Sequence, residues 1–327
     1  MADAGMPVVT FAVVAYNQQE FIAEAVESAM AQDYPELEIL ISDDASTDST
    51  FTRIEDLVRS YRGRHRLRIH RNPVNLGLIA HVNQVFEMAT GEMIVIAAGD
   101  DVSLPGRTRA LAARYFGATR PGLVHSSVMR IDLQGRELGV WRPPLVSRSM
   151  DLFDIAVSSA LYIGASGAWN PQLHRQFGPM RAAGGYEDLI LGFRAALQGG
   201  IVYVDEPLVR YRIGSGITRR QYSANLLADF VRAETRHVDL SLTTLDQRLA
   251  DLGRVNVPQA DRIAHVIQRE RARQALRRGL LMAPRTTWRE ASLDDRLRLA
   301  ALVMHEANRA LKFAAEAWLS MRAATRS

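Results

Sequence analysis

Residues 37–48 read Leu37-Glu38-Ile39-Leu40-Ile41-Ser42-Asp43-Asp44-Ala45-Ser46-Thr47-Asp48, an apolar run that ends in two carboxylates. A short apolar run bounded by turn residues is typical of a buried β-strand. A second run, residues 93–98, is followed in the same way by Gly99-Asp100-Asp101. Because open α/β sheets bind ligands at the carboxyl ends of their strands, these two strands predict one acidic site at that edge.

Strands and helices alternate around these two runs. Residues 8–15 are almost continuously apolar, which predicts a buried parallel strand. Amphipathic helices are predicted over 20–32, after Asp48 and over 81–89, with a short strand at 67–70. This alternation over residues 8–98 predicts an α/β fold with a mostly parallel, doubly wound sheet flanked by helices.

The pattern changes twice further along the chain. Residues 105–217 mix helices (107–116, 188–198) with strands (123–131, 201–204) and a hairpin turn at 132–136. Loop segments at 141–145 and 164–169 are expected to line the site, and Trp169 fits either a ligand-stacking or a core position. Residues 219–327 contain only helical patterns, over 222–252, 259–281 and 293–322, punctuated by Pro258 and Pro284. We therefore divide the chain into an α/β domain, 1–218, and an all-α C-terminal region, 219–327.

Composition narrows the class of protein. With 47% hydrophobic and 23% charged residues among 327, the chain is of globular type. The absence of cysteine excludes disulfides and thiolate metal sites and fits a reducing compartment. The N-terminus lacks a basic region before its first strand, and no run of about 18 apolar residues occurs, so we expect neither a signal peptide nor a membrane span. These features predict a cytoplasmic protein.

Charge is distributed unevenly. The C-terminal region, 219–327, holds 20 Lys and Arg against 12 Asp and Glu, whereas the rest of the chain holds 20 against 24. A basic amphipathic helix can lie on an anionic membrane surface, and the alternative is a solvated helical face or an oligomer interface. Aromatic residues are not interleaved with the basic ones, which argues against nucleic-acid binding.

Several short motifs occur in a fixed order along the α/β domain. They are Val13-Val14-Ala15-Tyr16-Asn17, Asp43-Asp44-Ala45-Ser46-Thr47-Asp48, Asn75-Leu76-Gly77, Gly99-Asp100-Asp101, Tyr186-Glu187-Asp188 and Tyr211-Arg212. This ordered set resembles the inverting family 2 glycosyltransferases of GT-A fold, a Rossmann-like nucleotide-diphospho-sugar transferase architecture. The resemblance covers residues 8–218 and leaves the C-terminal region unexplained.

The resemblance implies where a donor nucleotide binds. Asp44 would accept the ring N–H of uracil, since an ionised carboxylate is an acceptor only. Tyr16 would stack on the base or pack beside it. The whole group expected around the nucleotide is Val14, Ala15, Tyr16, Asp44, Asn75, Gly77, Asp100 and Arg212.

The resemblance also implies a cation site. Asp101 or Asp100 would bind Mn²⁺ or Mg²⁺, which would neutralise the leaving diphosphate. Two departures from the family pattern bear on this site: Ala98 stands where an acidic residue is commonest, and Gly214 stands where a His is frequent. Arg212 is expected to pair with the diphosphate, and the glycines after it suggest a loop that closes over the donor.

Glu187 and Asp188 are predicted to begin a helix, where acidic residues are favourable for structural reasons alone. In this context we expect Asp188 to be the general base that takes a proton from the acceptor hydroxyl. Glu187 would orient the acceptor.

The sequence thus predicts an enzyme that moves a sugar, with inversion, from a nucleoside diphosphate sugar to a glycan or lipid-linked hydroxyl in bacterial cell-envelope polysaccharide or glycolipid biosynthesis. UDP is favoured and dTDP is next. Two alternatives stay open at this point. One is a non-catalytic nucleotide- or partner-binding scaffold of the same fold. The other is a nucleotidyltransferase, which usually has a glycine-rich phosphate loop where this chain has Tyr16-Asn17-Gln18-Gln19-Glu20.

Overall fold

The computed structural model describes residues 5–144, 151–181, 184–215 and 225–324. Its strands form one nine-stranded mixed sheet in the order β3-β2-β1-β4-β8-β6-β9-β5, with β7 paired to β6. The strands are β1 (Val9–Ala15), β2 (Leu37–Asp43), β3 (Arg66–Arg71), β4 (Met93–Ala98), β5 (Val102–Ser103), β6 (Leu123–Ile131), β7 (Glu137–Trp141), β8 (Gly167–Trp169) and β9 (Ile201–Arg212).

Helices cover both faces of this sheet and continue beyond it. They are α1 (Ile22–Met30), α2 (Thr50–Ser60), α3 (Leu78–Met88), α4 (Arg107–Tyr115), α5 (Leu152–Val157), α6 (Gln172–Phe177), α7 (Glu187–Gln198), α8 (Leu226–Leu252), α9 (Ala260–Met282), α10 (Pro284–Glu290) and α11 (Leu293–Ala324). None of the helices in the described ranges combines the length and the apolar character needed to cross a membrane.

The N-terminal part of the sheet is parallel, as the sequence predicts. β3, β2, β1 and β4 run parallel, in a register that aligns Ala15 with Asp43 and Val14 with Ala98. Beyond β4 the sheet is mixed, because the three-residue strand β8 is antiparallel to both β4 and β6. The strand expected at 201–204 is longer than predicted: it continues to Arg212 as β9, which is parallel to β6 with irregular register.

Apolar clusters form on both faces of the sheet. One contains side chains of α1, α2 and α4, and the other contains side chains of α3, α5, α6 and α7. Leu245 and Leu252 of α8 and Ile263 and Ile267 of α9 belong to the second cluster. Burying each of these side chains stabilises the packing by roughly 1.5–3 kcal/mol. The first two C-terminal helices are therefore packed into the core of the α/β domain.

One boundary in the C-terminal region differs from expectation. Pro284 does not only interrupt a helix; it begins the short helix α10, where the missing N–H and fixed φ of proline are tolerated. The expected start of the first helix, at 222, and the 216–218 part of the glycine-containing loop lie outside the described residues.

Candidate active site

The two acidic pairs lie at the same edge of the sheet. β2 and β4 flank β1, and the turns after them are both bound to the end of β1. The Asp44 N–H donates to the Ala15 carbonyl, and the Gly99 N–H donates to the Val14 carbonyl, each at 2.9 Å. The arrangement at the carboxyl edge is the one that the sequence predicts.

The buried Asp44 carboxylate can accept one more hydrogen bond than it does. Its Oδ1 accepts from Asn72 Nδ2 at 2.7 Å and from the Leu76 N–H at 2.9 Å. Its Oδ2 accepts from the Gly77 N–H at 2.9 Å. Since each carboxylate oxygen has two lone pairs, Oδ2 can accept one further N–H. Sequence reasoning had not identified Asn72, whose contact with Asp44 spans 28 positions.

The remaining nucleotide-side residues form two exposed loops beside Asp44. Gly77 has φ of 79°, a left-handed conformation that favours glycine, and its N–H also donates to Asn75 Oδ1 at 2.9 Å. Tyr16 is 44% exposed, so one face of its ring is open to a ligand. The next residue, Asn17, is bonded to the loop after β2, through Ser46 Oγ at 2.9 Å, which fixes the loop that carries Tyr16.

Two carboxylates of the first motif serve the structure. Asp43 is completely buried and accepts from the Ser46 N–H and hydroxyl. Asp48 accepts from the Thr50 N–H at 2.9 Å and so satisfies a donor in the first turn of α2. Ser49 makes no side-chain cap.

The second pair, Asp100 and Asp101, is buried after β4. Asp101 Oδ1 accepts from the Arg212 N–H at 2.8 Å, but its Oδ2 is buried without a hydrogen-bond partner among the described residues. Burial, together with the negative charge of Asp100, raises the pKa of Asp101 well above its ordinary value. An orphaned carboxylate oxygen in a buried site fits a hard divalent cation, which would satisfy that oxygen and favour the ionised carboxylate.

Few side chains at this site could coordinate a metal ion. No group of three His, Cys, Asp or Glu side chains is suitably placed to hold a metal ion anywhere in the described ranges. A cation at Asp100 and Asp101 would therefore take its other ligands from substrate phosphates and water, as Mg²⁺ commonly does.

Arg212 is buried beneath this turn and fully engaged. Its Nε donates to the Asp100 carbonyl at 3.0 Å, its Nη1 donates to the Asp132 carbonyl at 3.2 Å, and its Nη2 pairs with Glu24 Oε2 at 3.0 Å. The side chain therefore holds the acidic turn against α1 and the β6–β7 turn. Sequence reasoning did not identify Glu24, which lies 188 positions from Arg212.

A second buried guanidinium, Arg107, supports the same turn. It donates to Ser103 Oγ at 2.8 Å and to the carbonyls of Ile96 and Ala165, each at 2.7 Å. Its positive charge opposes the rise in the pKa of Asp101. No signal in the sequence distinguishes Arg107 from an ordinary helix-initiating arginine.

Glu187 and Asp188 form the first turn of α7 and are half-buried. Burial and the neighbouring charge of Asp188 raise the pKa of Glu187 to about 8. Burial raises the pKa of Asp188 to about 6, opposed by a hydrogen bond from the Leu189 N–H and by the charge of Arg248. Burial and mutual repulsion therefore make it unfavourable for both carboxyl groups to be ionised together, as in other acidic pairs that share a proton.

Tyr211 connects the two acidic pairs. Burial raises the pKa of its phenol, and the negative charges of both Asp100-Asp101 and Glu187-Asp188 raise it further. A contact links the surroundings of the two pairs, because Arg107, which supports the Asp100-Asp101 turn, donates to the carbonyl of Ala165 in the turn that lies against Glu187.

The Gly164–Ser166 turn packs against Glu187. A Cβ added at Gly164 would lie 2.5 Å from Glu187 Oε1, so a larger residue there would displace that carboxyl group. Trp169, in contrast, is completely buried, stacks on Phe86 with ring centroids 5.3 Å apart, and donates to Tyr162 Oη at 2.9 Å. Of the two positions open to Trp169, the structure shows the core one.

Comparison with known proteins agrees with this geometry. Residues 10–151 match the family model described as Glycosyl transferase family 2. The chain is 35% identical over 101 residues to the Bacillus subtilis protein named "Putative glycosyltransferase EpsE", covering 31% of this chain and 36% of that protein. It is 29% identical over 143 residues to "Succinoglycan biosynthesis protein ExoO" of Rhizobium meliloti, covering 44% and 39% respectively. The matches span little more than a third of these relatives.

Solved structures show the fold over nearly the whole chain. The mannosyltransferase PcManGT of Pyrobaculum calidifontis, solved with GDP-Man and Mn²⁺, has a TM-score of 0.59 at 20% identity, covering 98% of this chain and 85% of that one. S. aureus TarS 1–349, solved with UDP-GlcNAc, has a TM-score of 0.57 at 16% identity, covering 91% and 80%. The predicted GT-A fold is confirmed.

Proposed function

We propose that this protein is an inverting glycosyltransferase that uses a nucleoside diphosphate sugar as its donor, since its residues 10–151 match the model of glycosyl transferase family 2. The observation that carries the proposal is the Gly164–Ser166 turn between the two acidic pairs: its Ala165 carbonyl accepts from Arg107 beside Asp101, and its Gly164 lies against Glu187. One pair suits a cation bound to a diphosphate, and the other contains an ionised base. A nucleotide-binding scaffold would have no use for the second pair, and a nucleotidyltransferase would need the phosphate loop that is absent after β1.

Asp44 favours a uracil or thymine base. Three of its four acceptor positions are occupied by Asn72, Leu76 and Gly77, which leaves one at Oδ2. The imide N–H of uracil or thymine needs one acceptor, whereas guanine presents two adjacent donors and cytosine presents none at the equivalent ring nitrogen. UDP is therefore the favoured donor nucleotide and dTDP the next, with Tyr16 stacked on the base and the backbone at Val14 and Ala15 beside it.

Asp101 and Asp100 would hold Mn²⁺ or Mg²⁺, whose chemistry is to neutralise charge that develops on the leaving diphosphate. Arg212 keeps their turn in place. A direct contact between its guanidinium and the diphosphate would require it to leave Glu24, so we assign Arg212 a positioning role first.

Asp188 removes the proton from the acceptor hydroxyl. The hydroxyl oxygen then bonds to the anomeric carbon on the face opposite the diphosphate, as the bond from that carbon to the diphosphate oxygen breaks. The nucleoside diphosphate leaves, the proton stays on Asp188, and the configuration inverts. Glu187, protonated at neutral pH, orients the acceptor by donating a hydrogen bond.

The acceptor is a glycan or lipid-linked hydroxyl in bacterial polysaccharide assembly, presented at the cytoplasmic face of the membrane. The basic C-terminal region supports this part of the proposal through large apolar side chains that are exposed on it, namely Leu227, Met282, Trp288, Met304 and Leu311. We expect the protein to sediment with vesicles that contain phosphatidylglycerol, and not with phosphatidylcholine vesicles. Equal sedimentation with both or with neither would favour a homo-oligomer interface there instead.

Thermal unfolding with UDP, dTDP, GDP and CDP, each with and without Mn²⁺, tests the donor site. A ligand that binds only the folded state stabilises it by about 2.7 kcal/mol at one hundred times its Kd. We expect the largest rise in Tm with UDP and Mn²⁺, and the smallest with CDP. In Asp44→Asn, the amide oxygen is held at the Oδ1 position by the Asn72 and Leu76 donors, so the amide NH2 takes the Oδ2 position, where it can donate to cytosine but not accept from uracil. The preference for UDP over CDP should therefore shrink at least tenfold in Kd.

Asp56→Asn is the matched control, because Asp56 is exposed on α2 and pairs only with Arg59. It should leave the nucleotide preference unchanged. Stabilisation by no nucleotide in the wild type, with or without Mn²⁺, would contradict the proposed donor site.

A further inference from the structure

The turn that carries Asp188 is held by a helix from the C-terminal region. The Tyr186 N–H donates to Thr244 Oγ1 of α8 at 3.0 Å, while the Thr244 hydroxyl donates to the Leu240 carbonyl at 2.8 Å. The Tyr186 hydroxyl lies 2.6 Å from His237 Nδ1, also on α8. Two contacts from one helix therefore fix the residue that precedes Glu187-Asp188.

Arg248 of α8 holds the other side of the same turn. Its guanidinium is almost completely buried, and its Nε and Nη2 donate to the Leu189 carbonyl at 3.3 and 3.0 Å. Its Nη1 donates to the carbonyls of Ala156 and Ser158, each at 3.0 Å. The Arg248 side chain thus joins the C-terminal end of α5 to the first turn of α7, which contains Asp188.

We propose that α8 completes the active site, with Arg248 as the residue that positions Asp188. The proposal rests on the function proposed above. α8 lies outside residues 10–151, which match the family model, so this part of the machinery comes from the helical region of this chain.

The charges around Asp188 are consistent with this role. The titratable groups that face it are Glu187 of its own helix, the phenols of Tyr162, Tyr186 and Tyr211, and Arg248. Of these, Arg248 supplies the positive charge that lowers the pKa of Asp188. Burial lowers the pKa of the guanidinium itself to about 10, so it remains a cation at neutral pH.

The test is the pH dependence of Mn²⁺-dependent hydrolysis of the nucleoside diphosphate sugar. The donor carries the nucleotide that raises the Tm of the wild type most. In Arg248→Gln we expect kcat near pH 7 to fall at least tenfold, and the acid limb of the kcat profile to move up by about one pH unit. The Kd for the nucleotide should change less than twofold. Arg248→Lys restores the charge, so its acid limb should return to the wild-type pH even though its kcat stays reduced.

Asp251→Asn is the control for structural damage. Asp251 lies on α8 just after Arg248 and pairs with Arg194 at the far end of α7, at 2.7 Å and fully buried. The Asp251→Asn variant should have a lower Tm, with the acid limb of its kcat profile at the wild-type pH. A proportional fall of kcat at every pH in Arg248→Gln, with the limb unmoved, would overturn the proposal.

Thr244→Val provides a second variant if Arg248→Gln does not fold. It removes the acceptor of the Tyr186 N–H in a side chain of similar size. We expect a lower kcat with unchanged nucleotide Kd, and an unchanged kcat would overturn positioning by α8. Absence of wild-type hydrolysis and nucleotide binding would instead refute the proposed function, so the two failures are distinguishable.

Discussion

Asp188→Asn should lower the rate of sugar transfer by about 10²–10⁴-fold, the usual contribution of a general base. The Kd for UDP with Mn²⁺ should change less than twofold, because Asp188 belongs to the acceptor side of the site. Isothermal titration and a donor-consumption assay on the same preparation measure both quantities. Equal losses of binding and turnover would contradict the assignment of Asp188 as base.

The same substitution should stabilise the fold at neutral pH. The pKa of Asp188 is raised from 3.8 to about 6, so its ionised form costs folding free energy above pH 6, and this cost is absent below pH 4. An amide cannot ionise, so Asp188→Asn should gain on the order of 1–3 kcal/mol in free energy of unfolding at pH 7.5. Urea unfolding at pH 7.5 and pH 4 measures the difference, which should vanish at the lower pH. No gain at pH 7.5 would contradict the raised pKa.

Asp101→Asn should abolish the metal-dependent part of donor binding. The amide oxygen can still accept from the Arg212 N–H, but the buried, unpartnered Oδ2 is lost, and with it one of two negative charges available to a cation. We expect the Kd for UDP in Mn²⁺ to rise at least tenfold, to the value measured without metal. Titration of Mn²⁺ into protein with UDP reports this directly.

Asp33→Asn is the matched control for Asp101→Asn. Asp33 is a partly exposed carboxylate that pairs with Arg109 at 3.2 Å and has one buried oxygen without a hydrogen-bond partner among the described residues, so its loss should leave the Mn²⁺ dependence intact. If Asp101→Asn retained the wild-type response to Mn²⁺, the cation site would have to lie elsewhere.

The local sequence pattern was sufficient to predict the parallel half of the sheet. Continuous apolar runs predicted β1, β2 and β4. Because ligands bind at the carboxyl edge of such sheets, the same pattern predicted that Asp44 and Asp100 lie on one side of the sheet. The pattern was not sufficient for β8, because three residues are too few to show a period. It also left Trp169 undecided, since an indole suits a core and a sugar-binding surface equally well.

The supporting side chains of the site could not be predicted in this way. The buried arginines donate hydrogen bonds to carbonyl groups that are distant along the chain; they are Arg107, Arg212 and Arg248. The Asp132 carbonyl that accepts from Arg212, for example, is 80 positions away. Hydrogen bonds to backbone carbonyls leave no residue-type signature at the accepting position. The carboxylates were predictable because their chemistry is local, whereas their positioning depends on tertiary packing.

The most direct test of the account is the anomeric configuration of the sugar released by Mn²⁺-dependent donor hydrolysis, followed by proton NMR before mutarotation. With an α-linked nucleoside diphosphate sugar, a water activated by Asp188 attacks opposite the diphosphate. The wild type should therefore release the β-anomer first, and Asp188→Asn should release it far more slowly. Initial release of the α-anomer, or equal rates in the two proteins, would contradict the account.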